Sequence, residues 1–227
     1  MLTNEIISES RDVRTFNKFK LRDDSGGAAI HIEQGSAEGL QIEASPELLR
    51  RIVSDVHNGT LYVRLGGSWL ERLGDKLTTS LTRPRIIYRL QVKEFQSLEL
   101  ICASAVHIRS LRTDELRLNL NGVVHADIQA LEAERLTLQH SGMGKLRFQG
   151  SVGSQDVGLS GAGVYSALGL CSEHTVISIS GSAQAHVYAT ASLDATIRGM
   201  GVVEYRGEPR VRQRIFGMGG VVRVNEQ

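Results

Sequence analysis

Apolar and polar residues alternate along much of this chain, and the alternation restarts at a near-constant interval. The first copy is Leu98-x-Leu100-x-Cys102-x-Ser104-x-Val106-x-Ile108, and the second is Leu118-x-Leu120-x-Gly122-x-Val124-x-Ala126-x-Ile128. Further copies centre on His140-x-Gly142-x-Gly144, Leu159-x-Gly161-x-Gly163, Ile179-x-Gly181-x-Ala183 and Ile197-x-Gly199-x-Gly201. A last one, Gln213-x-Ile215-x-Gly217-x-Gly219-x-Val221, ends the series. The central residue falls at 102, 122, 142, 161, 181, 199 and 217, giving steps of 20, 20, 19, 20, 18 and 18. Period-two alternation marks strands with one buried face, and a fixed longer period marks a repeat architecture.

The residues Gly122, Gly142, Gly161, Gly181, Gly199 and Gly217 are expected to be structural corners. Glycine there allows a sharp bend or a backbone approach that a Cβ would block. Polar, turn-rich pieces such as Arg112-Thr113-Asp114-Glu115 and Gly207-Glu208-Pro209 separate the copies. One coil therefore takes 18–20 residues, and parallel stacking sets equivalent residues ~4.8 Å apart. Leu120, His140, Leu159, Ile179, Ile197 and Ile215 form the predicted inward ladder. A single coil cannot bury its apolar side alone, so the core exists only as a stack. The fold class is all-β, a parallel β-helix-like solenoid. A flat sandwich is the alternative, but it would not require such steady spacing.

Residues 1–66 read as a β-rich region continuous with the stack, with Phe16, Phe19, Ile30-x-Ile32, Leu40-x-Ile42 and Leu61-x-Val63-x-Leu65 as its apolar positions. His57-Asn58-Gly59 supplies a turn, and Ser45-Pro46-Glu47-Leu48-Leu49 predicts a short N-capped helix. Residues 67–83 break the strand pattern; Trp69, Leu70, Leu73 and Leu77 have helical spacing, which predicts an inserted loop or helix. Residues 84–227 carry the repeats, and the whole is one structural unit.

Several stretches together resemble a known family. They are Arg11-x-Val13-x-x-Phe16, Ile32-Glu33-Gln34-Gly35, Ile42-Glu43-Ala44 with Leu48-Leu49, and Asn58-Gly59-Thr60-Leu61. The recurring Ser-Gly-x-Gly units and Gly201-Val202-Val203-Glu204-Tyr205-x-Gly207-x-Pro209 complete the match. Over residues 11–225 the chain resembles the auto-transporter adhesin head GIN domain family. That resemblance implies a right-handed β-helical fold, export to the bacterial envelope or surface, and no established catalytic residues. Some units depart from the pattern, as at Cys102-Ala103-Ser104 and Asn121-Gly122-Val123. The first residues lack the basic and apolar regions of a signal peptide. That leaves two alternatives, a cytoplasmic protein or an exported one whose signal has been removed.

Composition narrows the chemistry. Aromatic residues make up only 5% of the chain and glycines number 24, which suits tight turns and small stacked side chains. Lys+Arg 26 against Asp+Glu 25 leaves a net charge of +1, with no basic excess for a nucleic-acid backbone. No apolar run is long enough to span a bilayer. Cys102 and Cys171 lie three coil steps apart, ~14 Å at ~4.8 Å per step, and are expected to be unbridged.

Candidate active-site patterns resolve to structural readings. The Gly-x-Gly pairs do not continue into a phosphate-binding G-x-G-x-x-G or Lys-Ser/Thr loop. No Asp follows them as calcium-binding repeats require. The seven histidines occupy different repeat offsets, and only His140 falls on the inward ladder, as a satisfied core imidazole. Cys171 and His174 sit within one turn with nothing to orient them. Asp114, Glu115, Asp127, Glu132 and Glu134 are interspersed with Arg109, Arg112 and Arg117, which reads as a solvated face. The expectation is a non-catalytic structural or binding protein without catalytic, cofactor or metal residues, adhesin-like and self-assembling through its coil ends. Its partners are a second copy or a surface glycan or protein. Val221, Val222, Arg223 and Val224 form the candidate assembly interface, as the last strand with an uncovered edge. The alternative is a carbohydrate-active β-helix enzyme of the lyase or hydrolase class.

Overall fold

Register turns the repeat into a structure. The computed structural model describes residues 6–22, 27–66 and 86–224; the predicted insertion at 67–83 lies outside the described residues. The elements are β1 (Ile7–Arg11), β2 (Lys18–Arg22), β3 (Ala28–Gln34), β4 (Gly39–Ala44), α1 (Pro46–Arg51), β5 (Ile52–His57), β6 (Thr60–Leu65) and β7 (Ile86–Val92). There follow β8 (Ser97–Ile101), β9 (Ser104–Ile108), β10 (Leu111–Leu159), β11 (Ala162–Ile179), β12 (Ser182–Ile197), β13 (Met200–Arg206), β14 (Arg210–Ile215) and β15 (Met218–Arg223). They wind into an all-β solenoid of about 6 turns.

Parallel pairs reproduce the sequence interval. Leu120 pairs with Leu100, Leu159 with Ile179, and Ile179 with Ile197, which pairs with Ile215. The step shortens from 20 to 18 at one place. Ala167 pairs with Val187 and Cys171 with Tyr188, so residues 168–170 have no counterpart in the next coil; one residue is regained between Ser172 and His174.

Bends fall at Gly161, Gly181, Gly199 and Gly217. A Cβ on Gly161 would stand 1.9 Å from the carbonyl oxygen of Gly142. One on Gly142, where φ is +135°, would stand 2.0 Å from that of Gly122. Coils this close leave no room for a side chain between them.

The N-terminal strands are not stacked in chain order. The coil made by β2 and β3 lies inside the stack: Lys18 pairs with both Thr60 and Ser97, and Ala28 with both Ile86 and Ser104. Beyond β7 run antiparallel β4 and then β1; beyond β6 runs antiparallel β5. The β5–β6 hairpin turns at Asn58 and Gly59, with φ of 49° and 71°, the two positive values a type I′ turn needs. Helix α1 has Pro46 in its first turn, and its N-cap Ser45 accepts from the Leu48 amide at 3.4 Å. Arg11 ties this end together, donating to the carbonyls of Ile52 at 2.7 Å and Leu49 at 2.9 Å and to Ser54 Oγ at 3.0 Å. It thereby satisfies carbonyls at the C-terminus of α1.

Aliphatic ladders fill the interior, with Phe16, Phe19, Phe95 and Phe148 buried among them. One polar island interrupts them. Gln155 Nε2 donates to Ser172 Oγ at 3.0 Å and Thr175 Oγ1 at 3.2 Å, while its Oε1 accepts from Tyr165 Oη at 2.9 Å. Ser172 donates to the Tyr188 carbonyl, so Thr175 is the donor in the 2.7 Å Ser172–Thr175 bond. Every member is buried, and every polar atom has a partner, the condition for such a network to be tolerated. Burial raises the Tyr165 phenol well above its ordinary value.

Candidate functional site

Outward positions of the strands that precede the bends form two neighbouring columns. Glu99 pairs in register with Asn119, and Asn121 lies two residues further along the same strand. Gln139 and Ser141 occupy the next coil and Ser160 the one after it. These residues and His140 line an open recess of about 250 Å³. Asn119, Asn121, Gln139 and Ser141 are exposed, and no hydrogen bond within the described residues engages their side chains. Ser160 Oγ is turned back to the His140 carbonyl at 3.4 Å. The Gln139 side chain lies over the bare backbone of Gly158, where a Cβ would meet its Oε1 at 2.1 Å.

The recess is electrically quiet. Its one carboxylate, Glu99, is paired with Lys20 at 2.7 Å. Glycoside hydrolysis ordinarily takes two carboxyl groups flanking the bond, and the lining supplies one. Uncharged amides and hydroxyls offer both donors and acceptors to a ligand rich in hydroxyl groups.

His140 lies on the inward ladder, yet it is only half satisfied. Its Nδ1 donates to the Leu120 carbonyl at 2.9 Å, whereas Nε2 is buried without a partner. Burial lowers its pKa, outweighing the Leu120 hydrogen bond that raises it. Two other histidines share a column, contrary to the sequence reading: His31 on β3 and His107 on β9 are register partners. The repeat frame read from the sequence starts at Leu98, so it does not set His31 beside His107. Among the described residues no group of three or more His, Cys, Asp or Glu is placed to hold a metal. Cys102 and Cys171 are not joined in a disulfide.

The glycines at 122, 142, 161, 181, 199 and 217 stack on one another from coil to coil. Val221, Val222 and Arg223 lie on β15, with Val224 just beyond it. β15 pairs with β13 alone, and β14 with β12 alone, so each presents an open edge among the described residues. No described helix is long and apolar enough to cross a membrane.

The architecture defines a β-solenoid with a quiet lateral recess. The family model for "Putative auto-transporter adhesin, head GIN domain" matches residues 16–209, and the chain belongs to that family. Solved structures share its fold, three of them as follows. A putative adhesin from Bacteroides fragilis superposes with a TM-score of 0.86 at 23% identity, and one from Parabacteroides merdae with 0.72 at 20%. A putative lipid binding protein from Parabacteroides distasonis gives 0.71 at 18%. In each case 98% of both chains is covered. A search of curated proteins finds no match.

Proposed function

We propose that this chain is a non-catalytic, adhesin-like binding protein of the bacterial envelope or surface, and that its lateral recess takes a neutral glycan. The observation carrying this reading is the set of unengaged side chains of Asn119, Asn121, Gln139 and Ser141 on consecutive coils. The ~4.8 Å rise between coils is close to the length of one pyranose ring along an extended chain. A glycan lying along the stack would therefore meet the amides of Asn119 and Asn121 on one coil and that of Gln139 on the next. Family membership supports the adhesin-like role and the envelope location. The test is a panel of neutral oligosaccharides against the full chain and the Asn119→Ala/Gln139→Ala double variant. Binding without turnover that weakens about tenfold or more in the variant supports the reading. Hydrolysis or elimination products would favour the enzyme alternative.

A second reading, self-association through the coil ends, is favoured by the open edges of β14 and β15. Arg210, Arg212 and Arg214 alternate along β14, so a two-fold antiparallel contact there would set like charges opposite one another. A head-to-tail contact avoids this and propagates. Sedimentation of the full chain across a wide concentration range tests it, and Val222→Pro should abolish any assembly that β15 pairing supports.

A further inference from the structure

The last two coils carry a lateral patch whose composition is unlike the rest of the molecule. Four of the five phenylalanines are core residues, but Phe216 is 69% exposed. Beside it Met218 is 70% exposed and Met200 is 56% exposed. Met200 and Met218 are register partners, and Phe216 occupies the intervening bend, with the Arg198 guanidinium 5.7 Å from its ring centroid. Along β14, Arg210, Arg212 and Arg214 project sideways in register with Ser192, Asp194 and Thr196. Arg212 is 3.6 Å from Asp194; Arg210 and Arg214 have no ion pair among the described residues. Between residues 198 and 223 there are six arginines and two glutamates, in a chain whose net charge is +1. The positive charge is thus concentrated at one end, next to an apolar knob.

We propose that this patch docks the solenoid onto an anionic lipid surface. Phe216, Met218 and Met200 would enter the headgroup boundary, and the arginine row would contact lipid phosphates. Arginine presents a fork of donors suited to phosphate, and apolar insertion combined with basic contacts is the chemistry of peripheral membrane binding. A soluble anionic polymer would use the arginines but leave the exposed apolar cluster unexplained. A second copy at this patch would face its own arginine row. The patch points sideways, whereas the open edges of β14 and β15 face along the axis, so docking and end-to-end assembly occupy different surfaces.

The probe is vesicles of phosphatidylcholine alone or with about one-third phosphatidylglycerol, assayed by flotation with the full chain. The protein should float with the anionic vesicles at low salt, stay behind with the neutral ones, and be released as salt rises. Each arginine near the surface is worth about fivefold, so Arg210→Gln/Arg214→Gln should weaken binding by more than an order of magnitude. Phe216→Ser/Met218→Ser should weaken it at least tenfold. All four side chains are exposed, and an unchanged thermal melt confirms that each variant is folded. No flotation with anionic vesicles overturns the proposal. So does flotation that both variants leave intact, or flotation lost with the arginines but indifferent to Phe216 and Met218, which marks a site for soluble polyanions. Self-association abolished by Phe216→Ser/Met218→Ser, without vesicle binding, would assign the patch to a second copy. The glycan recess shares none of these residues, so its failure and this one are separable.

Discussion

The imidazoles of His31 and His107 stack on neighbouring coils, their centroids 5.2 Å apart and their planes 22° from parallel. Burial lowers the His31 pKa most, followed by His107 and Arg89, while Glu43 and Glu33 oppose the shift. A folded-state pKa below the ordinary 6.5 means that the unfolded chain binds more protons in the interval between the two. Stability therefore falls as pH drops through 6.5 toward the lowered value and is regained above 6.5. The melting temperature at pH 5.5 should lie below that at pH 7.5, and His107→Gln should narrow the gap. A gap of the same size in the variant would show that the stack does not contribute.

Substituting His140 by leucine tests the same sign from inside the core. The change removes a desolvated imidazole with one unpartnered nitrogen, but it also takes the side-chain donor from the Leu120 carbonyl. These effects oppose each other, so stability at pH 7.5 should change by no more than about 1 kcal/mol. Acid sensitivity should diminish, because the lowered His140 pKa disappears with the ring. Urea melts at the two pH values check both statements.

Tyr165→Phe keeps the ring and deletes one hydroxyl. Gln155 Oε1 then loses its donor in a fully buried setting, at a cost of about 1–3 kcal/mol. Chemical denaturation measures this directly. A neutral result would mean that the island rearranges to satisfy itself.

Gly142→Ala should be among the most damaging single changes, since the new Cβ meets the Gly122 carbonyl at 2.0 Å and the backbone φ is +135°. A loss of more than about 3 kcal/mol, or failure to fold, is expected. Gly35→Ala is the control: nothing lies within 4 Å of a Cβ there, and the change should stay within about 0.5 kcal/mol.

Arg11→Ala should loosen the N-terminal end. Three hydrogen bonds reach from this side chain to Leu49, Ile52 and Ser54. Their loss should speed amide exchange in α1 and β1 while leaving β11 and β12 protected, which exchange mass spectrometry resolves.

Local rules carried far in this chain. The repeat interval, the inward ladder, the capped helix at Pro46 and the turn at Asn58-Gly59 could all be read because each depends on residues close in sequence or on a strict period. The threading of β2 and β3 between β6–β7 and β8–β9 could not. Parallel pairing between distant segments leaves no mark in either strand, and Ile30-x-Ile32 fits beside Tyr88-x-Leu90 as well as beside Val106-x-Ile108. The polar island was hidden for a related reason: Gln155, Ser172 and Thr175 meet only once the coils are in register. The recess escaped notice because Asn119, Asn121, Gln139 and Ser141 are individually ordinary surface residues. The last repeat copy made β15 legible as a strand. The patch beside it was missed, since alternation alone assigns Phe216 and Met218 no special place.

The buried position of the coil that β2 and β3 form sets an order of events. Its two flanks come from β6 and β7 on one side and β8 and β9 on the other, so the seed is incomplete until the chain has been delivered to about residue 108. Every later coil joins one growing face, beginning with the pairing of β10 onto β8 and β9. A chain arriving N-terminus first would complete its seed only after nearly half of its length and then wind forward turn by turn. Lengthening or shortening by a whole coil is open beyond the seed and closed within it, which makes the distal end the adjustable one.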